Sequence, residues 1–283
     1  MPWDARRFMA RLSARARRRA FDFLFSTPAP PSSSTPAAPD VGTVYVIIRS
    51  WNRPLYLWAC LDSLYRGTQS ACRFVLVDNG STDPQIRGIV SAFERRGMFT
   101  SVHLMERNHA ANQRVIVEQC RPEMGRYYVL VDADVVVEKT EPDWLQRMIA
   151  IMERDARLGA LGSMIDAADF IDPARARQVA PELSEDLIDQ LIKARSPERR
   201  LPASTAEQID PIPPAGRLLM LRTELLDSVG LPTGNLALCE AIRTAGYRTS
   251  IATTVRHRHL SLLNLYDYPD YDVKQLRQYL MER

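Results

Sequence analysis

The stretch Tyr127-Tyr128-Val129-Leu130-Val131-Asp132-Ala133-Asp134 decides how the chain is read. Five apolar residues end abruptly on two carboxylates that flank an alanine. A short apolar run bounded by polar residues has the pattern of a strand buried on both faces of a parallel sheet. The same pattern occurs twice upstream. Val44 to Ile48 runs into Arg49-Ser50-Trp51-Asn52-Arg53, and Phe74 to Val77 runs into Asp78-Asn79-Gly80-Ser81-Thr82-Asp83. Between them, Pro54 to Tyr65 carries Leu57, Leu61 and Leu64 at helical spacing. Helices are also predicted over Ile86–Arg96 and Ala110–Cys120, with a strand over Ser101–Leu104. Strands alternating with helices predict an α/β fold: a single, Rossmann-like domain with a mostly parallel central sheet flanked by helices.

Beyond the two carboxylates the pattern continues and then thins. Trp144–Glu153 reads as a helix and Leu158–Ile165 as a strand. Residues 166–214 are polar and proline-punctuated, with one helix expected around Ser184–Ala194. Order returns over Gly216–Arg222. A helix over Leu236–Ala245 stops at Gly246, and a strand over Arg248–Val255 leads into Arg256-His257-Arg258-His259. The domain therefore spans 41–265, with 166–214 as a variable region. A basic amphipathic segment (1–26) and a Pro/Ser-rich linker (27–40) precede it, and a tail (266–283) with Tyr266, Tyr268 and Tyr271 follows.

The chain has 283 residues, 46% hydrophobic and 25% charged, enough for one sizeable core. Its net charge of +3 is unevenly spread. Residues 1–25 hold seven arginines against two acids, net +5, so the remainder stands at −2. A near-neutral body argues against a domain-wide nucleic-acid surface. The arm reads either as a solvated tail or as an anchor to anionic lipid, with nucleic acid third. Cys60, Cys72, Cys120 and Cys239 lie far apart, which disfavours a disulfide framework or zinc site and fits a reducing compartment. No apolar run approaches the roughly 18 residues of a spanning helix. The expected location is the cytoplasm, with peripheral contact at the inner face of the membrane as an extension of the lipid reading.

Ligands of open α/β sheets bind at the carboxyl ends of the strands. The three polar clusters would converge there and surround one crevice with carboxylates, amides and an arginine. Hard oxygen donors suit Mg²⁺ or Mn²⁺, which bridge phosphates.

These clusters carry a resemblance. VYVIIRSWNRPLYL, FVLVDNGSTD, YYVLVDADVVVE, GRLLMLRTELLDSVG, LCEAIRTAGYR and VRHRHLS span nearly all of Val44–Ser261, and in this order they resemble glycosyltransferase family 2 and its GT-A relatives. The resemblance implies a GT-A fold and sugar transfer from a nucleotide-sugar to an acceptor hydroxyl, with Mn²⁺ or Mg²⁺ at the DxD motif. A UDP-sugar is favoured as donor, with GDP- or TDP-sugars as alternatives. It implies that Ser50, Trp51 and Arg53 border the nucleotide and that Asp78, with Asn79, meets the base. Asp132 and Ala133 would lie at the ribose or metal, and Asp134 would ligate the metal. His257 is implied as the distal metal or diphosphate ligand, with His259 competing, because the two share a face of an extended chain.

One departure stands out. Where family members carry a Glu-Asp pair before the last helix, this chain has Gly234-Asn235. Asn235 thus occupies the catalytic position without a titrating carboxylate. Asp227 and Glu240 are the nearest acids in sequence. A retaining reaction, or a non-catalytic nucleotide-sugar-binding relative, would also account for it. The acceptor is expected to be a glycan or lipid-linked hydroxyl, with nucleic acid as an alternative.

Overall fold

The computed structural model describes residues 41–165, 207–210, 218–232 and 234–260, with Arg177, Pro181 and Ser184. The chain divides into a unit Met1–Ala38 and a unit Pro39–Arg283. The arm, the linker, the helix expected at Ser184–Ala194 and the tail 266–283 therefore lie outside the described residues, apart from isolated positions.

The apolar runs become the strands β1 (Tyr45–Ser50), β2 (Arg73–Asp78), β3 (Phe99–Leu104) and β4 (Tyr127–Asp132). The order β3-β2-β1-β4 is parallel throughout. The helices α1 (Pro54–Gly67), α2 (Pro84–Glu94) and α3 (Asn112–Cys120) connect or flank these strands. Proline begins α1 and α2, where its missing N–H is not needed. Asp83 caps α2 by accepting from the Gln85 amide at 2.9 Å. α1 buries Leu57, Leu61 and Leu64 on the sheet, about 1.5–3 kcal/mol each.

The second half extends the sheet through β5 (Val135–Val137), β6 (Leu158–Ile165), β7 (Gln208–Ile209), β8 (Leu218–Arg222) and β9 (Arg248–His259). Helices α4 (Trp144–Arg154), α5 (Leu225–Ser228) and α6 (Asn235–Thr244) accompany them. The strand order is β3-β2-β1-β4-β8-β6-β9-β5, with β7 also pairing β9. Among the described residues six strands run one way, and β5, β7 and β8 run against them. The mostly parallel α/β sheet flanked by helices is therefore present.

Two features of the second half differ from the sequence reading. The run Tyr127–Val137 is not one strand followed by a loop. The chain turns at Ala133-Asp134, and β5 pairs with the end of β9 instead of with β4's neighbours. β9 correspondingly runs on past Val255 to His259, because β5 supplies partners for its last residues. Apolar periodicity carries no information about which partner a strand will find.

Two apolar layers fill the faces of the sheet. One gathers Val46, Ile48, Leu57, Leu61, Leu76 and Trp144. The other gathers Tyr45, Ile47, Val75, Val77, Leu238 and Ile242. Buried Asp143 ties α4 to the loop after α1. Its carboxylate accepts from the Gln69 and Ser70 amides (2.6 Å each), the Ser70 hydroxyl (2.9 Å) and the Gln146 amide (2.8 Å). Asp143→Ala leaves these donors without the buried carboxylate that holds them. It is expected to lower the unfolding free energy by about 2–4 kcal/mol in denaturant titration.

Candidate functional site

The strand order reverses direction at β1: β2 and β3 lie on one side, β4 on the other. In a doubly wound sheet that reversal opens a crevice at the carboxyl ends of the strands. All three polar clusters end there. Ser50 pairs with Asp78 in register, and Arg49 with Asp132.

The loop after β2 is held from within. Asp78 Oδ1 accepts from the Ser81 hydroxyl at 2.6 Å, and Oδ2 from the Ser81 amide at 3.0 Å. From β1's side, the Asn52 side-chain oxygen accepts from the Thr82 and Asp83 amides at 2.7 and 3.1 Å. Asn52 adopts φ 46°, within reach of an asparagine. Gly80 has φ 76°, and a Cβ there would meet the backbone of Arg107 at 2.5 Å. Buried Asn79 donates to Asn108 and accepts from Asn112 Nδ2 at 2.5 Å and from the His109 amide at 3.3 Å. Asn52, Asn108 and Asn112 are the residues that sequence reasoning did not assign. Their only sequence signal is a scatter of asparagines, without period.

The DxD turn is held on both sides by backbone. The Ala133 amide donates to Arg49 O at 3.0 Å, and Asp134 O accepts from the Leu260 amide at 2.8 Å. The Asp132 carboxylate lies 2.7 Å from Arg49 Nη2. Buried Asp134 Oδ2 lies 3.2 Å from Arg53 Nη1 and 3.2 Å from His259 Nε2. The Arg53 guanidinium also stacks 5.2 Å from the Tyr56 ring centre. Behind the turn, Cys60 donates its thiol to Asp132 O at 3.8 Å. Burial first, then the Asp134 carboxylate, pushes that thiol well above its ordinary pKa, so it stays a neutral donor.

The two histidines separate. His257 is buried, with Nδ1 2.7 Å from the Ser163 hydroxyl. His259, paired with Val135 across β5, is the one beside Asp134. Ser50 is buried, and its hydroxyl has no hydrogen-bond partner among the described residues. Trp51 is half-buried next to it.

Asn235, at the catalytic position, and the two nearest acids, Asp227 and Glu240, are not brought together. α6 turns at Gly246 into the start of β9, so its first residue, Asn235, lies toward the end of the sheet that carries His259. Glu240 is exposed midway along α6. Asp227 follows β8, whose Arg222 pairs with Tyr127 at the amino end of β4. It therefore stands at the opposite end of the sheet from Asp134, in an ion pair with Arg121.

Among the described residues no three His, Cys, Asp or Glu side chains form a ready-made metal cluster. Asp134 and His259 supply one oxygen and one nitrogen donor side by side, with a guanidinium as local counter-charge. Mg²⁺ and Mn²⁺ in phosphate sites commonly take one or two protein ligands and complete their shell from the substrate and water. The residues present fit a cation of that kind.

The parallel order of β3-β2-β1-β4, its reversal at β1 and the antiparallel β8 and β5 define an α/β domain of the GT-A type. The glycosyl transferase family 2 model matches residues 45–209, and the chain belongs to that family. Solved structures share the fold at low identity. GalNAc-T7 with UDP, GalNAc and Mn²⁺ matches at 16% identity and TM-score 0.56, over 78% of this chain and 44% of its own. The mannosyltransferase PcManGT of Pyrobaculum calidifontis, with GDP-Man and Mn²⁺, matches at 20% and 0.54, over 92% and 66%. TarS 1–349 of S. aureus matches at 16% and 0.52, over 84% and 69%. This chain thus spans less than half of the GalNAc-T7 chain. No curated protein matches it in sequence.

Gly80→Ala is expected to destabilise the domain by about 1–3 kcal/mol, from left-handed strain and the contact with Arg107. Denaturant titration against the unaltered chain reads that loss.

Proposed function

We propose that the chain is a glycosyltransferase that moves a sugar from a nucleoside-diphosphate sugar to an acceptor hydroxyl. The observation that carries this is the Asp134–His259 pair after the carboxyl end of β4, joined by Arg53 to the β1–α1 connection, whose Asn52 holds the loop after Asp78, Asn79 and Gly80. Asp134 and His259 are proposed to hold Mn²⁺ or Mg²⁺, with Asp132 joining them. The cation would supply charge stabilisation to the departing diphosphate. Ser50, Trp51, Asp78 and Asn79 are proposed to border the nucleoside, and Arg53 to hold Asp134 in place. GalNAc-T7 is solved with UDP and Mn²⁺ and PcManGT with GDP-Man and Mn²⁺, which supports a uridine or guanosine diphosphate donor. His259 is preferred to His257 because His259 Nε2 lies 3.2 Å from Asp134 Oδ2. Glu240 is preferred to Asp227 as proton acceptor, because it stands on the helix whose start lies toward the site. The proposed acceptor is a glycan or a lipid-linked hydroxyl. Among the described residues no helix is long and apolar enough to cross a membrane.

Asn235 favours a second reading, binding without turnover. Transfer or donor hydrolysis by the purified chain, lost in Asp134→Ala, excludes it.

Asp134→Ala is expected to abolish the Mn²⁺-dependent part of UDP or GDP binding. His259→Ala should weaken it by about tenfold or more, and His257→Ala should act through stability instead. Equal nucleotide affinity with and without Mn²⁺ in the unaltered chain would falsify the assignment.

A further inference from the structure

Arg49 is the one exposed residue in β1, a strand otherwise buried from Tyr45 to Ser50. A charged side chain open to solvent in a central strand marks where the packed face gives way to the crevice. Its register partner is Asp132, and the guanidinium meets that carboxylate at 2.7 Å. The Arg49 side chain is 43% exposed, whereas Asp132 is 16% exposed. The other guanidinium, Arg53, is 16% exposed and lies between Asp134 and the Tyr56 ring. The two arginines thus differ in exposure: Arg53 is enclosed between a carboxylate and a ring, and Arg49 is open to solvent over nearly half of its side chain.

Charge balance gives Arg49 a task. A divalent cation joining Asp132 must compete with the guanidinium at the same carboxylate. A diphosphate arriving with that cation brings negative charge to the same crevice. Its oxygens match the planar fork of an arginine at least as well as a carboxylate does. An exchange in which Asp132 passes from Arg49 to the cation, while Arg49 passes from Asp132 to the diphosphate, leaves every charge paired before and after.

Resting on the donor reading above, we propose that Arg49 is a counter-ion switch. It guards Asp132 when the crevice holds no donor, and it becomes a diphosphate-binding residue when the metal nucleotide enters. The switch couples metal to nucleotide. Mn²⁺ alone binds against the Arg49–Asp132 pair, and Mn²⁺ with a nucleoside diphosphate does not.

The test uses the full chain and two titrations: Mn²⁺ alone, followed by electron paramagnetic resonance, and UDP or GDP at saturating Mn²⁺, followed by calorimetry. Arg49→Gln is expected to move them in opposite directions. Affinity for Mn²⁺ alone should rise about two- to fivefold, as the competing cation is lost. Nucleoside-diphosphate affinity should fall about ten- to a hundredfold, as a charge-assisted contact is lost. Arg49→Lys, which keeps the charge but not the fork, should fall between for the nucleotide. If both affinities drop together, or neither changes while the unaltered chain binds Mn²⁺–nucleotide normally, Arg49 is structural or idle and the switch is wrong. If the unaltered chain binds no Mn²⁺–nucleotide, the donor reading falls first and takes the switch with it. A melting curve of Arg49→Gln matching the unaltered chain keeps a folding defect from imitating the first of these outcomes.

Discussion

Everything at the site depends on one short piece of backbone, the crossing at Ala133-Asp134. The chain leaves β4 on a hydrogen bond from Ala133 to β1 and enters β5 on a hydrogen bond from Leu260 to Asp134. Two neighbouring residues are thereby tied to two distant parts of the sheet. Because backbone bonds in a buried sheet are directional and costly to leave unmade, this crossing cannot drift. The carboxylates on either side of Ala133 inherit its rigidity, and His259 is delivered to Asp134 by the pairing of β5 with β9.

The second constraint is electrostatic. A carboxylate as enclosed as Asp134 needs a partner, because an unpaired buried charge costs several kcal/mol. Arg53 answers that need while ending the approach to α1, where Pro54 follows. Its side chain is oriented by both the ring of Tyr56 and the carboxylate. Asp78 and Asn79 are also enclosed, and they are satisfied by the turn and by a cluster of amides, not by charge. The crevice therefore has one side, at β1 and β4, where carboxylates meet guanidinium groups, and another, at the loop after β2, where hydroxyl, backbone amide and side-chain amide groups supply the partners. The proposed nucleoside-diphosphate donor would use that division.

The opposite end of the sheet does different work. There Arg222 donates to the backbone oxygens of Leu158, Met152 and Asp155 and stacks on Tyr127. Arg248 joins Asp155 and Asp210. These arginines end α4 and start β6 and β9. They secure the strands at the end away from the crevice, so the carboxyl ends can carry polar loops without the sheet losing its anchor. Asp227 and Arg121 belong to this end, which is why proximity in sequence to the missing acid did not translate into proximity to Asp134.

The sequence by itself determined the strands, most of the helices, and the three polar clusters at the strand ends. It could do so because apolar runs, helical spacing and turn residues are local signals, each written within about a dozen residues. It also carried the family resemblance, because the motifs keep their order along the chain. Only the tertiary structure decided what depends on partners distant in sequence. The separation of His257 from His259 follows from where β5 pairs. The pairing of Arg49 with Asp132 follows from the register of β1 on β4. The gathering of Asn79, Asn108 and Asn112 follows from how the loop after β3 folds back on the loop after β2. None of these has a period or a spacing. Each is a contact between segments whose separation in sequence, from about thirty to more than a hundred residues, is bridged only when the sheet closes.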